Sequence, residues 1–213
     1  MMIKNFLAAT GVLLGITAAP VAQATVIGFD GGTVSAGGTI YQEKGFQIET
    51  IGGVASFSDY YGVGNNVIHA HWQDGCCGSI TKIVVRRDDG ASFDLNYFIL
   101  TSNTHTGGGA ADGNEKTYIH ASFDGVTDDY QQLLPSEDWG FPATQIFLGA
   151  EFDNVKAFWF TQESGVDCFG MDSFYIDEAA PNPVPEPAIS ALSLLGLLAM
   201  GSLRRLKPSN TKR

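Results

Sequence analysis

The sequence predicts an all-β body, a two-sheet β-sandwich, set between an N-terminal signal helix and a C-terminal single transmembrane helix. Three observations lead there. Between the two ends, short runs of alternating apolar and polar residues recur at close spacing, and stretches with helical period are few. Glycine is frequent, with 26 in the chain, and it gathers with Asp and Asn between those runs, where tight turns require it. Each end then holds an uncharged apolar stretch flanked by the charges of a targeting segment.

At the N-terminus Lys4 supplies a positive flank, residues 6–19 are apolar, and Ala22-Gln23-Ala24 makes a small-x-small cleavage site. Residues 1–24 therefore read as a secretory signal peptide, which implies the Sec translocon and signal peptidase as partners and a mature chain starting at Thr25.

Residues 25–178 form the sandwich domain, long enough for one proper core. Residues 25–29 are a first strand ending at Asp30-Gly31-Gly32. Residues 39–51 read as strand, turn at Lys44-Gly45, and strand, with Phe46 and Ile48 on one face because side chains alternate with period two. Residues 67–72 follow a Gly- and Asn-rich turn. Residues 80–87 and 91–101 are expected to pair as a hairpin through Asp88-Asp89-Gly90, with Phe93, Leu95, Tyr97 and Ile99 toward the core and Asp94, Asn96 and Phe98 away. Residues 102–114 are a long polar loop of the kind that is functional or mobile. Residues 115–123 make a strand turning at Asp124-Gly125; residues 144–148 and 155–161 are strongly apolar strands, and residues 168–176 close the domain. Some eight to ten strands in about 150 residues fit two sheets, each covering the apolar face of the other.

Residues 179–187 are a Pro-rich linker ending in Pro185-Glu186-Pro187, which cannot continue a helix. Residues 188–203 contain no charge and no proline, and as a helix they span about 24 Å. Flanking residues and local thinning close the gap to a hydrocarbon core of about 30 Å. Residues 204–213 hold Arg204, Arg205, Lys207, Lys212 and Arg213 with no acid, so this end stays cytoplasmic and the body lies outside.

Pro185-Glu186-Pro187, the apolar helix and Arg204-Arg205, in that order, resemble the PEP-CTERM sorting signal of Gram-negative bacteria. The resemblance implies recognition by a membrane-embedded exosortase, cleavage near the Pro-Glu-Pro, and transfer or release to the cell surface alongside exopolysaccharide export. Within the body, Phe169-Gly170-Met171-Asp172-Ser173-Phe174-Tyr175-Ile176 resembles the closing strand of carbohydrate-binding-like jelly rolls, with an acid in mid-strand. Arg87-Asp88-Asp89-Gly90 with Phe93-Asp94-Leu95 resembles a hairpin recurring in exported PEP-CTERM proteins with a galactose-binding-like sandwich. A jelly-roll-like body is what these likenesses imply.

Charge narrows the partners. Of 23 acidic residues only Glu186 lies outside the body, whereas Lys4 and five tail residues account for half of the 12 basic ones, so the body has 16 more acids than bases. Such a surface repels phosphate backbones, which argues against nucleic acid, and attracts divalent cations. In an oxidising compartment one of Cys76 and Cys77 is expected to bridge Cys168, closing a loop of about 90 residues for about 4 kcal/mol; a vicinal Cys76–Cys77 pair is the alternative. Zinc is disfavoured because no Cys-x-x-Cys pair exists.

Four candidate chemistries remain. A structural calcium is implied by the jelly-roll likeness at Asp30 and Asp172, which would need carbonyl or water ligands besides. His69-x-His71 places two imidazoles on one face of a strand, but the glutamate that a cupin-like oxygenase would need is missing between Trp72 and Asp94, so the pair reads as surface or half-buried histidines. Tyr60, Tyr61, Trp72 and Trp139 sit in or beside loop-like stretches, where flat rings stack on sugar faces; Trp159, between Phe158 and Phe160, reads as core. A carboxylate pair for glycoside hydrolysis would be sought at Glu137 with Asp138, or Glu151 with Asp153. No nucleophile elbow, zinc-protease motif or phosphate-cradling glycine loop is present.

The expected function is that of an exported surface or matrix protein whose non-catalytic sandwich contacts polysaccharide. The alternative is a secreted carbohydrate-active or metal-dependent enzyme on the same scaffold. A concave site with convergent acids and a perturbed carboxylate favours the enzyme, and a flat aromatic face favours binding.

Overall fold

A computed structural model of the chain describes residues 24–178, apart from Ala36, Val63, Cys76 and residues 106–108. The signal peptide, the Pro185-Glu186-Pro187 linker, the transmembrane helix and the basic tail with Arg204 and Arg205 lie outside the described residues, as does Cys76. No helix among the described residues is long and apolar enough to cross a membrane.

The strands, in chain order, are β1 (Thr25–Ile27), β2 (Thr33–Val34), β3 (Ile40–Glu43), β4 (Phe46–Ile51), β5 (Ser56–Ser58), β6 (Val67–His71) and β7 (Lys82–Arg87). After them come β8 (Leu95–Thr104), β9 (Lys116–Ser122), β10 (Tyr130–Leu133), β11 (Thr144–Phe147), β12 (Ala157–Ser164) and β13 (Cys168–Ile176). One 3-10 turn, Ala150–Phe152, precedes β12. The first sheet runs β11-β8-β13-β6-β5, with β1 also on β13; the second runs β10-β9-β12-β7-β4-β3-β2. Every pairing between these strands is antiparallel. The described chain is thus all-β and folded as a two-sheet sandwich.

Alternation explains the core. Ile68, Ala70 and Trp72 from one sheet, with Phe169, Met171 and Phe174, meet Ile83, Val85, Phe158 and Phe160 from the other. Phe158, Phe160 and Phe174 form mutual ring contacts at 5.3 to 6.2 Å between centroids. Each such ring, fully buried, contributes about 1.5–3 kcal/mol relative to exposure. Trp159 is buried too, but on the outer face of the second sheet, stacked on His120 and beneath Lys82.

Two expectations about the centre of the chain are corrected. Residues 80–87 and 91–101 do not pair as a hairpin: β7 lies between β4 and β12, while β8 lies between β11 and β13 in the opposite sheet. Asp88-Asp89-Gly90 is a turn, with Gly90 at φ 69°, but it carries the chain across the sandwich. The core face of β8 also changes along its length. Tyr175 pairs with Tyr97 and Ile176 with Leu95, so Asn96 is an extra residue, and the bulge swaps the faces beyond it. Phe93 and Leu95 point inward as expected, but the next inward residues are Phe98 and Leu100, and Tyr97 and Ile99 face outward.

Candidate functional site

The outer face of the first sheet is where the chemistry gathers. Its core-facing residues on β6 are Ile68 and Ala70, followed by Trp72, so His69 and His71 face outward. On β13 the same alternation turns Cys168 and Gly170 outward, opposite His71 and His69. On β8, Ser102 and Thr104 stand across from Gly170 and Cys168. Thr101 is an extra residue in that ladder, and its hydroxyl joins that of Ser102 on one side of the strand.

Two loops cover this face. The first, between β5 and β6, lays Tyr60 flat on His69, centroids 3.7 Å apart and planes 10° off parallel. Tyr61 turns inward, and its hydroxyl lies 3.1 Å from each of His69 Nδ1, Thr101 Oγ1 and Ser102 Oγ. That hydroxyl fits because residue 170 is glycine: a Cβ there would stand 2.3 Å from Tyr61 Oη and 2.7 Å from Thr101 Oγ1. Burial raises the Tyr61 phenol above its ordinary pKa against the hydrogen bonds from Ser102 and Thr101. Burial likewise pushes His69 down to about 3, helped by His71 and opposed by Asp167, so the ring is neutral at physiological pH.

The second loop runs between β10 and β11 along β8, held by paired backbone bonds between Asn103 and Glu137 and by Gly140 N–H to Thr101 C=O at 2.8 Å. It brings Trp139 edge-on to Tyr61 at 4.8 Å and Phe141 at 5.8 Å. Trp139, Tyr60 and Phe141 remain 37%, 39% and 39% exposed. Beside them a cavity of about 500 Å³ is lined by Ala111, Ser136, Glu137, Asp138, Trp139, Phe141 and Pro142. Burial raises the Glu137 pKa, with a hydrogen bond from Thr144 opposing and Asp138 adding to the rise. Asp138 Oδ1 accepts from Ala111 N–H at 2.9 Å and so fastens the neighbouring loop. That loop is also set by Glu115, whose carboxylate takes Asp112 N–H, Gly113 N–H and Ser136 Oγ–H. Burial raises the Glu115 pKa, but these bonds outweigh it and hold the group at about 2.

Of the four aromatic residues expected at a sugar site, Tyr60, Tyr61 and Trp139 come together, and Trp72 does not. Trp72 is fully buried against Phe169, because it falls on the inward phase of β6 and its bridge to Ile80 continues that strand. Phe141 is a ring that sequence reasoning missed; its signal was the Trp139-Gly140-Phe141 cluster, in which a glycine at φ 97° bends the chain between two rings. Asp30 and Asp172 each hold a neighbouring asparagine. Asn66 Nδ2 donates to Asp30 Oδ1 at 3.2 Å and Asn65 Nδ2 to Asp172 Oδ2 at 2.8 Å.

The histidine pair is the larger revision. His69 Nε2 lies 3.3 Å from Cys168 Sγ, and His71 Nδ1 lies 3.7 Å from the same sulfur. Cys77 Sγ lies 3.7 Å from His71 Nδ1 on a loop of its own, and Asp167 Oδ1 approaches that nitrogen to 3.2 Å. Cys77 and Cys168 are not bridged to each other, and the pairings expected through Cys76 lie outside the described residues.

No protein-family model matches the chain, and no curated protein matches it. Among solved structures, a carbohydrate binding module of family 29 superposes with a TM-score of 0.41 at 14% identity, covering 77% of this chain and 99% of that one. A cleaved adhesin domain of Lys-gingipain from Porphyromonas gingivalis superposes at 0.37 with 12% identity, covering 74% of this chain and 99% of that one. The N-terminal modules of a Clostridium thermocellum endo-1,4-beta-D-xylanase, complexed with xylohexaose, superpose at 0.32 with 11% identity, covering 72% of this chain and 27% of that one.

Proposed function

We propose that this is an exported, non-catalytic polysaccharide-contacting protein of the cell surface or extracellular matrix. Export would run through the Sec translocon, and sorting through an exosortase acting on Pro185-Glu186-Pro187. The observation that supports contact with polysaccharide is the convergence of Tyr60, Trp139 and Phe141, all partly exposed, beside a cavity that Trp139 and Phe141 line together with Ser136, Glu137 and Asp138. Rings of this kind lie against the apolar faces of pyranose units while the polar groups take hydroxyls.

A hydrolytic reading would rest on Glu137, whose raised pKa suits a proton donor. Glycoside hydrolysis needs a second carboxylate across the scissile bond. Among the described lining residues the only other acid is Asp138, its chain neighbour, already engaged with Ala111. Binding is therefore the better-supported reading. A calcium at Asp30 and Asp172 would share those carboxylates with Asn65 and Asn66.

Affinity electrophoresis of the full chain through gels containing the host's exopolysaccharide tests the proposal. Retardation that is lost in Trp139→Ala and Tyr60→Ala, with unfolding temperatures unchanged, is the expected result. Equal mobility of wild type and both variants in every polysaccharide would overturn it, and reducing sugar released by the wild type alone would favour hydrolysis.

A further inference from the structure

Beneath the Tyr60 and Tyr61 rings, we infer that His69, His71 and Cys168 form a binding site for a thiolate-preferring transition-metal ion, zinc above all. The three ligand atoms, His69 Nε2, His71 Nδ1 and Cys168 Sγ, all lie within 4.8 Å of one another. A tetrahedral zinc with bonds of about 2.0–2.1 Å to nitrogen and about 2.3 Å to sulfur sets its N···S edges at about 3.5 Å. The two N···S separations here are 3.3 and 3.7 Å, so each imidazole stands from the sulfur at about the edge a shared zinc would set, and the two nitrogens lie within 4.8 Å of each other.

The surroundings favour a metal over a set of ordinary hydrogen bonds. His71 Nδ1 has one in-plane direction in which to donate or accept, yet Cys168 Sγ, Cys77 Sγ and Asp167 Oδ1 all lie around it. A cation shared by nitrogen and sulfur reconciles such crowding. His69 also has the outer partner that metal-bound histidines generally possess: Tyr61 Oη against Nδ1, itself fixed by Thr101 and Ser102, which leaves Nε2 turned toward the sulfur.

Burial and access are divided in a useful way. His69 and Cys168 are 2% and 1% exposed, whereas the His71 side chain is 26% exposed and opens a path for the ion. The loop bearing Cys77 is pressed onto this edge by glycines: a Cβ at Gly75 would stand 2.0 Å from Asp167 Oδ1, and one at Gly78 would stand 2.1 Å from the His71 carbonyl oxygen. His71, Cys77 and Asp167 form a second cluster, mutually within 4.8 Å, that meets the first at His71. Two nitrogens and a sulfur select zinc or copper and reject calcium and magnesium.

The test uses the full chain, purified in detergent with its thiols protected, stripped with chelator, and titrated with zinc, cobalt(II), copper(II) or calcium salts alone. About one zinc per chain should survive dialysis, and cobalt should give a thiolate charge-transfer band together with intense tetrahedral visible bands. Cys168→Ser and His69→Gln should remove that band and weaken zinc binding at least tenfold; Tyr61→Phe should keep the band and weaken zinc by about tenfold. Calcium should leave the spectrum unchanged. Absence of the cobalt band in the wild type would overturn the inference whatever the variants do. So would zinc binding unaltered by Cys168→Ser, or a native mass spectrum in which Cys168 is part of a disulfide.

Discussion

The two outer faces of the sandwich are built from opposite materials. Every Lys and Arg of the described body, Lys44, Lys82, Arg86, Arg87, Lys116 and Lys156, lies on or beside strands of the second sheet. Those cations are used locally: Arg86 pairs with Glu49, Lys116 with Glu163, and Lys82 caps Trp159. His120 is held there as well, between Asp128 and Thr161. The first sheet contains no Lys or Arg in any strand, and its outer face shows imidazole, sulfur, hydroxyls and partly exposed rings. A face whose charges are mutually satisfied has little left for a ligand. One that leaves Tyr60, Trp139 and Phe141 partly exposed has rings to offer one.

The largest effect that would sharpen this contrast is expected at Glu115, which anchors the loop beside the cavity. Its folded pKa of about 2, against an ordinary 4.5, corresponds to roughly 3 kcal/mol of stability. Because the folded carboxyl holds its proton less tightly than the unfolded one, this contribution is complete above about pH 4.5 and is lost as pH falls toward 2. Urea unfolding of Glu115→Gln should therefore show a deficit of that order at pH 7 that shrinks steadily as the pH is lowered through this window. A deficit independent of pH would contradict the assignment.

Gly170→Ala should come next, at about 1–3 kcal/mol, since the new methyl meets Tyr61 Oη and two hydroxyls that cannot all retreat. Thermal unfolding reads the loss, and fluorescence of Trp139 should report the displaced Tyr61. Trp139→Ala should weaken polysaccharide binding about tenfold, near 1.4 kcal/mol, with little change in unfolding temperature. The smallest effect belongs to the other face. Lys82→Ala should cost less than about 1 kcal/mol of stability through its lost contact with Trp159, and should leave polysaccharide retardation unaltered. If Lys82→Ala abolished retardation while Trp139→Ala did not, the binding face would have been assigned to the wrong sheet.

Much of the local structure was legible in the chain. The turn at Lys44-Gly45, where both residues have positive φ, and the strand Phe46–Ile51 follow from glycine placement and period-two patterning, and Cys168–Ile176 closes the domain as expected. The failures share a cause. The hairpin expected around Gly90 and the inward phase expected for Tyr97 were local inferences about pairings made with distant strands. Trp72, which ends the run 67–72 and was grouped with rings in or beside loops, is instead turned inward where a bridge to Ile80 continues the strand.

Sequence alone determined that the body is a β-sandwich, that its surface is acidic, and which aromatic residues stand near turns, because alternation, charge and turn chemistry are properties of neighbouring residues. Only the tertiary structure decided that β6 lies beside β13, which sets His69 and His71 against Cys168 about a hundred positions away, and that Trp139 and Phe141 close over Tyr61. Strand order is fixed by how two sheets bury a common core, and no local pattern encodes which strands become neighbours.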